Sequence, residues 1–144
     1  MADLRCCGQV VALQAQYCSV QLDRPGPAGQ GRLLCTRRTR LAKSGQTICV
    51  GDRVWLEGLD WPAGRAAVAA VEPRQLCLER PPVANLTRVV VVVALAEPAL
   101  DPLQLTRFLI TAEATGAAVD LVLSKADLLP PAAVLDWLER ARSW

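Results

Sequence analysis

Arg88-Val89-Val90-Val91-Val92-Val93-Ala94 is a continuous apolar run behind one arginine. Nothing in it alternates, so it reads as a strand covered on both faces, the pattern of a parallel sheet. Pro98 to Pro102 follows as a turn. Asp101 can cap a helix that holds Pro102 in its first turn. Leu103, Phe108, Leu109 and Ala112 recur at roughly helical spacing, and Gly116 closes the helix. Val119 to Leu123 is a second buried strand, and Pro130/Pro131 open another helix through Arg142. This strand–helix–strand–helix order starts a right-handed α/β unit. With two strands laid down, its sheet is expected to have open apolar edges.

Upstream the pattern differs. Gly8–Leu13, Tyr17–Leu22, Arg32–Thr36, Arg53–Glu57 and Arg65–Glu72 read as short strands bounded by Gly or Pro. In Tyr17–Leu22, Cys18, Val20 and Leu22 share one face, and in Arg53–Glu57 so do Val54 and Leu56. Asp23 to Gly31 and Gly58 to Gly64 read as loops, and Val50-Gly51-Asp52 as a turn. Trp55 reads as core and Trp61, beside Pro62, as surface. Five strands in about 80 residues predict a small closed barrel. The expected organisation is a barrel over 1–72, a linker over 73–85 and an α/β unit over 86–144. An edge strand with turns is the alternative for the Pro-rich stretch 73–85.

The fold class is therefore mixed, an all-β barrel followed by part of an α/β domain. Charge divides the same way: residues 1–82 carry 11 Lys/Arg against 7 Asp/Glu, and residues 83–144 carry 5 against 7. Two units with different partners fit this split. The longest apolar run, Val89–Ala96, falls short of the roughly 20 residues of a membrane helix, so no membrane partner is expected. The first residues, with Asp3, do not read as a secretory signal, and a cytoplasmic location is expected. The chain has 6 Cys and no His. Without a Cys-x-x-Cys pair or His, no metal-ligating residues are expected, and the cysteines read as small buried hydrophobes. The lack of His also removes Ser-His and Cys-His catalysis; no catalytic residue is assigned.

Ser124-Lys125-Ala126-Asp127 directly follows the second buried strand and resembles the guanine-specificity motif Asn/Thr-Lys-x-Asp of the GTPases. An Asp carboxylate can accept two hydrogen bonds from the guanine ring N–H and exocyclic amine, a pair adenine lacks. A Lys stem can lie along the base while its ammonium bonds a facing loop. Lys-x-Asp alone is weak, and a polar loop with Asp127 as a capping residue is the plainer alternative. Its place at the carboxyl end of a parallel strand favours a ligand site. Separately, Arg37, Arg38, Arg40 and Lys43 lie within seven residues with Thr36, Thr39 and Ser44 among them. Such a segment suits phosphate contacts, although a solvated loop would read the same way.

Beyond the tetrapeptide, a series of segments comes in one order. It runs Val50-Gly51-Asp52-Arg53-Val54, Glu72-Pro73-Arg74, Arg80-Pro81-Pro82-Val83-Ala84-Asn85, Ala94-Leu95-Ala96-Glu97-Pro98, Leu105-Thr106-Arg107-Phe108-Leu109, Ala112-Glu113 and Leu121 to Leu129. The series resembles the small-ribosomal-subunit biogenesis GTPase family RsgA, also called YjeQ or YloQ. The resemblance covers about Gly8 to Leu129. It implies an N-terminal OB-fold and a circularly permuted GTPase domain whose guanine-specificity loop precedes the phosphate-binding loop. It implies guanine contacts by Ser124, Lys125 and Asp127, and rRNA contacts by Arg37, Arg38, Arg40 and Lys43. Implied partners are the small ribosomal subunit with its rRNA, and GTP or GDP. Implied cofactors are GTP with Mg²⁺, and Zn²⁺ in a C-terminal domain outside this sequence. A monomer is expected.

Two departures stand out. Ser124 replaces the usual Asn or Thr; it is shorter than Asn and lacks the amide, so either a weaker nucleotide affinity or a different closure of the loop is expected. The sequence also has no Gly-x-x-x-x-Gly-Lys-Ser/Thr segment, so it reads as stopping before the phosphate-binding loop. This chain alone is expected not to hydrolyse GTP. The competing class is a non-catalytic OB-fold RNA-binding module with a structural α/β tail. A metabolic α/β enzyme ranks lower, because Leu95-Ala96-Glu97-Pro98 lacks a Gly-rich turn.

Overall fold

The computed structural model describes residues 6–37 and 47–144. They divide after Leu86 into two compact units. The first is built on β1 (Cys6–Leu13), β2 (Tyr17–Leu22), β3 (Arg32–Arg37), β4 (Arg53–Asp60) and β5 (Arg65–Val71). These close into a barrel in the order β1-β2-β3-β5-β4, with β3 and β5 parallel and β1 pairing with both β2 and β4. That is the strand order of an OB-type barrel. Closure removes free sheet edges.

Alternation sets what fills the interior. On β2, Cys18, Val20 and Leu22 point inward; on β4, Val54 and Leu56 do. With Val10, Leu33, Cys35 and Val68 they form one core. Burial pushes the Cys35 thiol up to about 12, with further contributions from Cys18 and Cys6, so it stays neutral. None of the described cysteines is bonded to another.

The strand β4 runs to Asp60, through a register irregularity between Glu57 and Asp60, where the sequence suggests a loop from Gly58. Gly58 takes a positive φ of 61° inside the strand, so this glycine marks a bulge. The two tryptophans also exchange roles. Because Val54 and Leu56 face inward, Trp55 between them faces outward and is 36% exposed. Trp61 instead packs against the edge of the core.

Residues 73–85 contain a hairpin, β6 (Cys77–Glu79) with β7 (Pro82–Ala84), within the first unit. The extended linker expected for this segment gives way to ordered contacts with the barrel. Val83 forms a parallel bridge with Val50, and the Ala84 N–H donates to the Val50 carbonyl at 2.8 Å. Asn85 Nδ2 donates to the Gly51 carbonyl at 3.1 Å. Gly51 is required there: its φ is +92°, and a Cβ would lie 1.9 Å from the Ala84 carbonyl oxygen.

A buried ion pair fastens the same place. Asp52 is fully buried. Its carboxylate accepts from the Cys49 N–H at 2.7 Å and from Arg74 Nε and Nη2 at 2.8 and 2.9 Å. Arg74 also donates to the Thr47 carbonyl at 2.5 Å. The two-pronged contact with Asp52 raises the guanidinium pKa further, and the pair satisfies a charge that would otherwise be stranded.

The second unit contains β8 (Arg88–Ala94), α1 (Pro102–Glu113), β9 (Ala118–Ser124), a 3-10 turn (Ala126–Leu128) and α2 (Pro131–Arg142). The strands β8 and β9 are parallel and in register from Arg88 opposite Ala118 to Ala94 opposite Ser124. Asp101 caps α1, accepting from the Leu103 N–H at 2.9 Å. The buried face of α1 is Leu105 and Ala112; Leu103 and Phe108 are exposed. β8 is not covered on both faces as its composition suggests: Val93 is buried, whereas Val90 and Val92 are 52% and 62% exposed.

Candidate functional site

The carboxyl ends of β8 and β9 lie side by side because the strands are in register to their last residues. There the chain must leave both strands, and Ser124 fastens the two exits. Its Oγ donates to the Val93 carbonyl at 3.1 Å, and its own carbonyl accepts from the Leu95 N–H at 3.0 Å. Lys125 then takes a left-handed conformation, φ 55° and ψ 33°. A non-glycine residue there is strained, and such strain concentrates at ligand sites. The Lys125 ammonium reaches across and donates to the Glu97 carbonyl at 2.6 Å. Glu97 is itself left-handed, φ 53°.

The 3-10 turn that follows is closed by the Leu128 N–H on the Lys125 carbonyl at 3.2 Å. It presents Asp127 to solvent. No side chain caps this turn or α2, so the capping role weighed for Asp127 is not what the structure displays. The Asp127 carboxylate makes no hydrogen bond among the described residues. Ser124, Lys125 and Asp127 thus come together in one loop: the first two are held by backbone carbonyls, and the third is free to accept from a ligand.

On the barrel, Arg37 ends β3, and its Nη2 donates to the Gln14 carbonyl at 2.9 Å. Tyr17, 39% exposed, pairs across the sheet with Thr36. With Ala15 and Gln16 these residues line a cavity of about 290 Å³. Arg38, Arg40 and Lys43 lie outside the described residues.

Residues 71–144 match the family model described as RsgA GTPase. The chain belongs to the RsgA GTPase family. The small ribosomal subunit biogenesis GTPase RsgA of Synechococcus sp. (strain CC9605) is 53% identical over 137 residues, which are 95% of this chain and 45% of that protein. The protein of the same name from Prochlorococcus marinus (strain MIT 9303) is 47% identical over 151 residues, covering 97% and 47%. Among solved structures, YjeQ from Thermotoga maritima aligns with a TM-score of 0.76 at 28% identity, over 97% of this chain and 47% of the other. YloQ, a circularly permuted GTPase, aligns with a TM-score of 0.78 at 21% identity, over 96% and 47%. The chain spans about half the length of the relatives it matches, and over that span its fold is that of YloQ and YjeQ.

Among the described residues no three His, Cys, Asp or Glu side chains gather as a metal-binding group. No helix of the described residues is long and apolar enough to cross a membrane. Reading the residues in order missed two charged groups that the fold assembles. Asp52 with Arg74 is one. The other is Asp23, which accepts from Arg53 and, at 3.1 Å, from the Cys7 thiol. Their partners are separated by 22 and 30 residues, so no local pattern announces them.

Proposed function

We propose that this chain supplies guanine recognition and rRNA contact to a GTPase acting in late maturation of the small ribosomal subunit. The Ser124–Asp127 loop takes the base. Asp127 accepts the ring N–H and amine of guanine, Lys125 flanks the base, and Ser124 keeps the two strand exits together. The observation that carries this reading is the division of labour in the loop. Lys125 is anchored on the Glu97 carbonyl at 2.6 Å, while the Asp127 carboxylate has no partner among the described residues. The barrel contacts rRNA from the end of β3, where Tyr17, Thr36 and Arg37 lie together, and through Arg38, Arg40 and Lys43, which follow Arg37 in sequence. The relatives' names, small ribosomal subunit biogenesis GTPase, support the same role and with it a cytoplasmic location.

Hydrolysis is not expected of these 144 residues, because the sequence contains no Gly-x-x-x-x-Gly-Lys-Ser/Thr segment to hold phosphates and Mg²⁺. Phosphate release from GTP by the purified chain would contradict this. The guanine reading is tested by titrating the labelled chain with GMP and AMP and following amide resonances. Shifts at Ser124 to Leu128 with GMP, absent with AMP and lost in Asp127→Ala, are expected. Equal responses to both nucleotides, or none at millimolar concentration, would overturn it. The rRNA reading is tested by small-subunit binding across a salt series, where Arg37→Glu should weaken binding most at low salt.

A further inference from the structure

A second cavity on the barrel lies away from the Arg37 end. It measures about 760 Å³ and is lined by Cys6, Cys7, Arg24, Trp55, Leu59 and Trp61, together with Asp23 and the turn from Pro25 to Pro27. That size falls within the roughly 300–1,000 Å³ of ordinary ligand clefts. Its floor is built by the register of β1 and β4. Cys7 pairs with Trp55, and because Val54 and Leu56 point into the core, the Trp55 indole is turned outward. Trp61 follows the end of β4 and is fixed from beneath: a Cβ on Gly26 would lie 2.3 Å from its ring. Gln30 Nε2 donates to the Trp61 carbonyl at 3.4 Å. The cleft therefore has one indole held in the barrel wall and another held by the turn.

Its charges are unequal. Asp23 is occupied by Arg53 and by the Cys7 thiol. Arg24, exposed at the rim, has neither a hydrogen bond nor an ion pair among the described residues. The open charge of the cleft is thus positive, on a half of the chain that already carries 11 Lys/Arg against 7 Asp/Glu over residues 1–82. Indoles beside an unpaired guanidinium suit a stacked base with its phosphate. A peptide added as a strand has no edge to join, since β1 and β4 pair with each other in the closed barrel.

We propose that this cleft is a stacking site for an unpaired base of single-stranded RNA, with Trp55 against the base and Arg24 on the neighbouring phosphate. It is a second contact, apart from the Arg37 end, and rests on the reading of the barrel as RNA-contacting. It selects unpaired over duplex RNA, because a base inside a helix cannot offer its face.

The test is fluorescence anisotropy of the 144-residue chain with a labelled single-stranded RNA of about ten nucleotides, within the usual site size of one OB fold, and with a duplex of the same sequence. Trp55→Ala should weaken single-strand binding about tenfold, and Trp55→Phe, which keeps an aromatic face, by much less. Arg24→Glu should weaken it and flatten its salt dependence. RNA should slow alkylation of Cys7, at the cleft, and leave the exposed Cys77 unchanged. If Trp55→Ala and Arg24→Glu bind like the parent while Arg37→Glu loses affinity, the cleft proposal is wrong and the RNA-contacting barrel stands. If the parent binds neither RNA, both fall. A proline-rich peptide that protects Cys7 where RNA does not would also overturn the proposal, making the cleft a peptide site.

Discussion

In the barrel, every other residue of β2, and Val54 and Leu56 of β4, disappear into a closed interior, and Cys18, Val20 and Val54 have no exposed surface at all. In the α/β unit, five consecutive valines of β8 form an equally apolar strand, yet Val90 and Val92 are 52% and 62% exposed. One helix, α1, contributes buried residues to that unit; α2 contributes none. Hydrophobicity is therefore not what separates the units. A barrel uses each strand twice, as wall and as neighbour, so short alternating strands suffice to enclose a core. A two-stranded parallel sheet needs a layer on each face before its apolar runs are covered. The barrel should carry the more cooperative stability, and the α/β unit should open at lower free energy.

The largest expected effect tests whether the hairpin belongs with the barrel. Arg74→Ala leaves the Asp52 carboxylate buried without its counter-charge, which costs about 3 kcal/mol in such pairs. Hydrogen exchange should rise across β1, β4 and the β6–β7 hairpin and stay unchanged in β8 and β9. Equal losses in both units would break the comparison, because the units would then unfold as one.

A smaller and sharper test applies one substitution to both units. Val54→Thr buries a hydroxyl in the barrel, where no water can reach it, and should destabilise by about 1–3 kcal/mol. Val92→Thr has the same shape change on an exposed strand face and should stay within about 0.5 kcal/mol. Denaturant midpoints of the two variants, measured side by side, check the contrast. A large loss for Val92→Thr would mean that the exposed face of β8 is covered in solution.

How much of this was legible follows from the same physics. Alternation in Tyr17–Leu22 and Arg53–Glu57 marks strands whose inward residues the structure buries. The continuous run at Val89–Val93 marks a parallel strand, although its second covering layer does not follow from composition. Trp55 faces outward against the expectation of a core residue, although the signal is in the sequence: if Val54 and Leu56 face inward, the residue between them cannot. Phe108 lies three residues after Leu105 and four before Ala112, at the border of the inward face of α1, whereas Leu103 lies on the opposite side, and a loose helical spacing does not say which stripe meets the sheet. The Ser124–Asp127 loop was legible because its residues are contiguous. The partner of Lys125 was not, since the Glu97 carbonyl is brought near only by the pairing of β8 with β9. The Trp55 cleft likewise needs β1, β4 and the Pro25–Pro27 turn to be folded first.

The smallest effect concerns acid, and it too distinguishes the units. The Arg53 guanidinium, with help from the Cys7 thiol, lowers the Asp23 carboxyl from its ordinary 3.8 to about 2. The folded value lies below the unfolded one, so the native state gains stability wherever the carboxylate is charged. That gain is complete above about 3.8 and is lost as pH falls through about 2. Asp23→Asn removes it, so the stability difference between parent and variant should shrink steadily across that window. Both side chains are about one-third exposed, 36% for Arg53 and 35% for Asp23, so water and salt screen the pair and the effect should be modest. In the α/β unit the pair Arg88–Asp120 is more open still, 57% and 47% exposed. Asp120→Asn should therefore change stability even less than Asp23→Asn. Acid titration of the two variants by hydrogen exchange would separate them: a larger change at β8 and β9 for Asp120→Asn would mean that the looser unit depends on its surface charge more than its exposure allows.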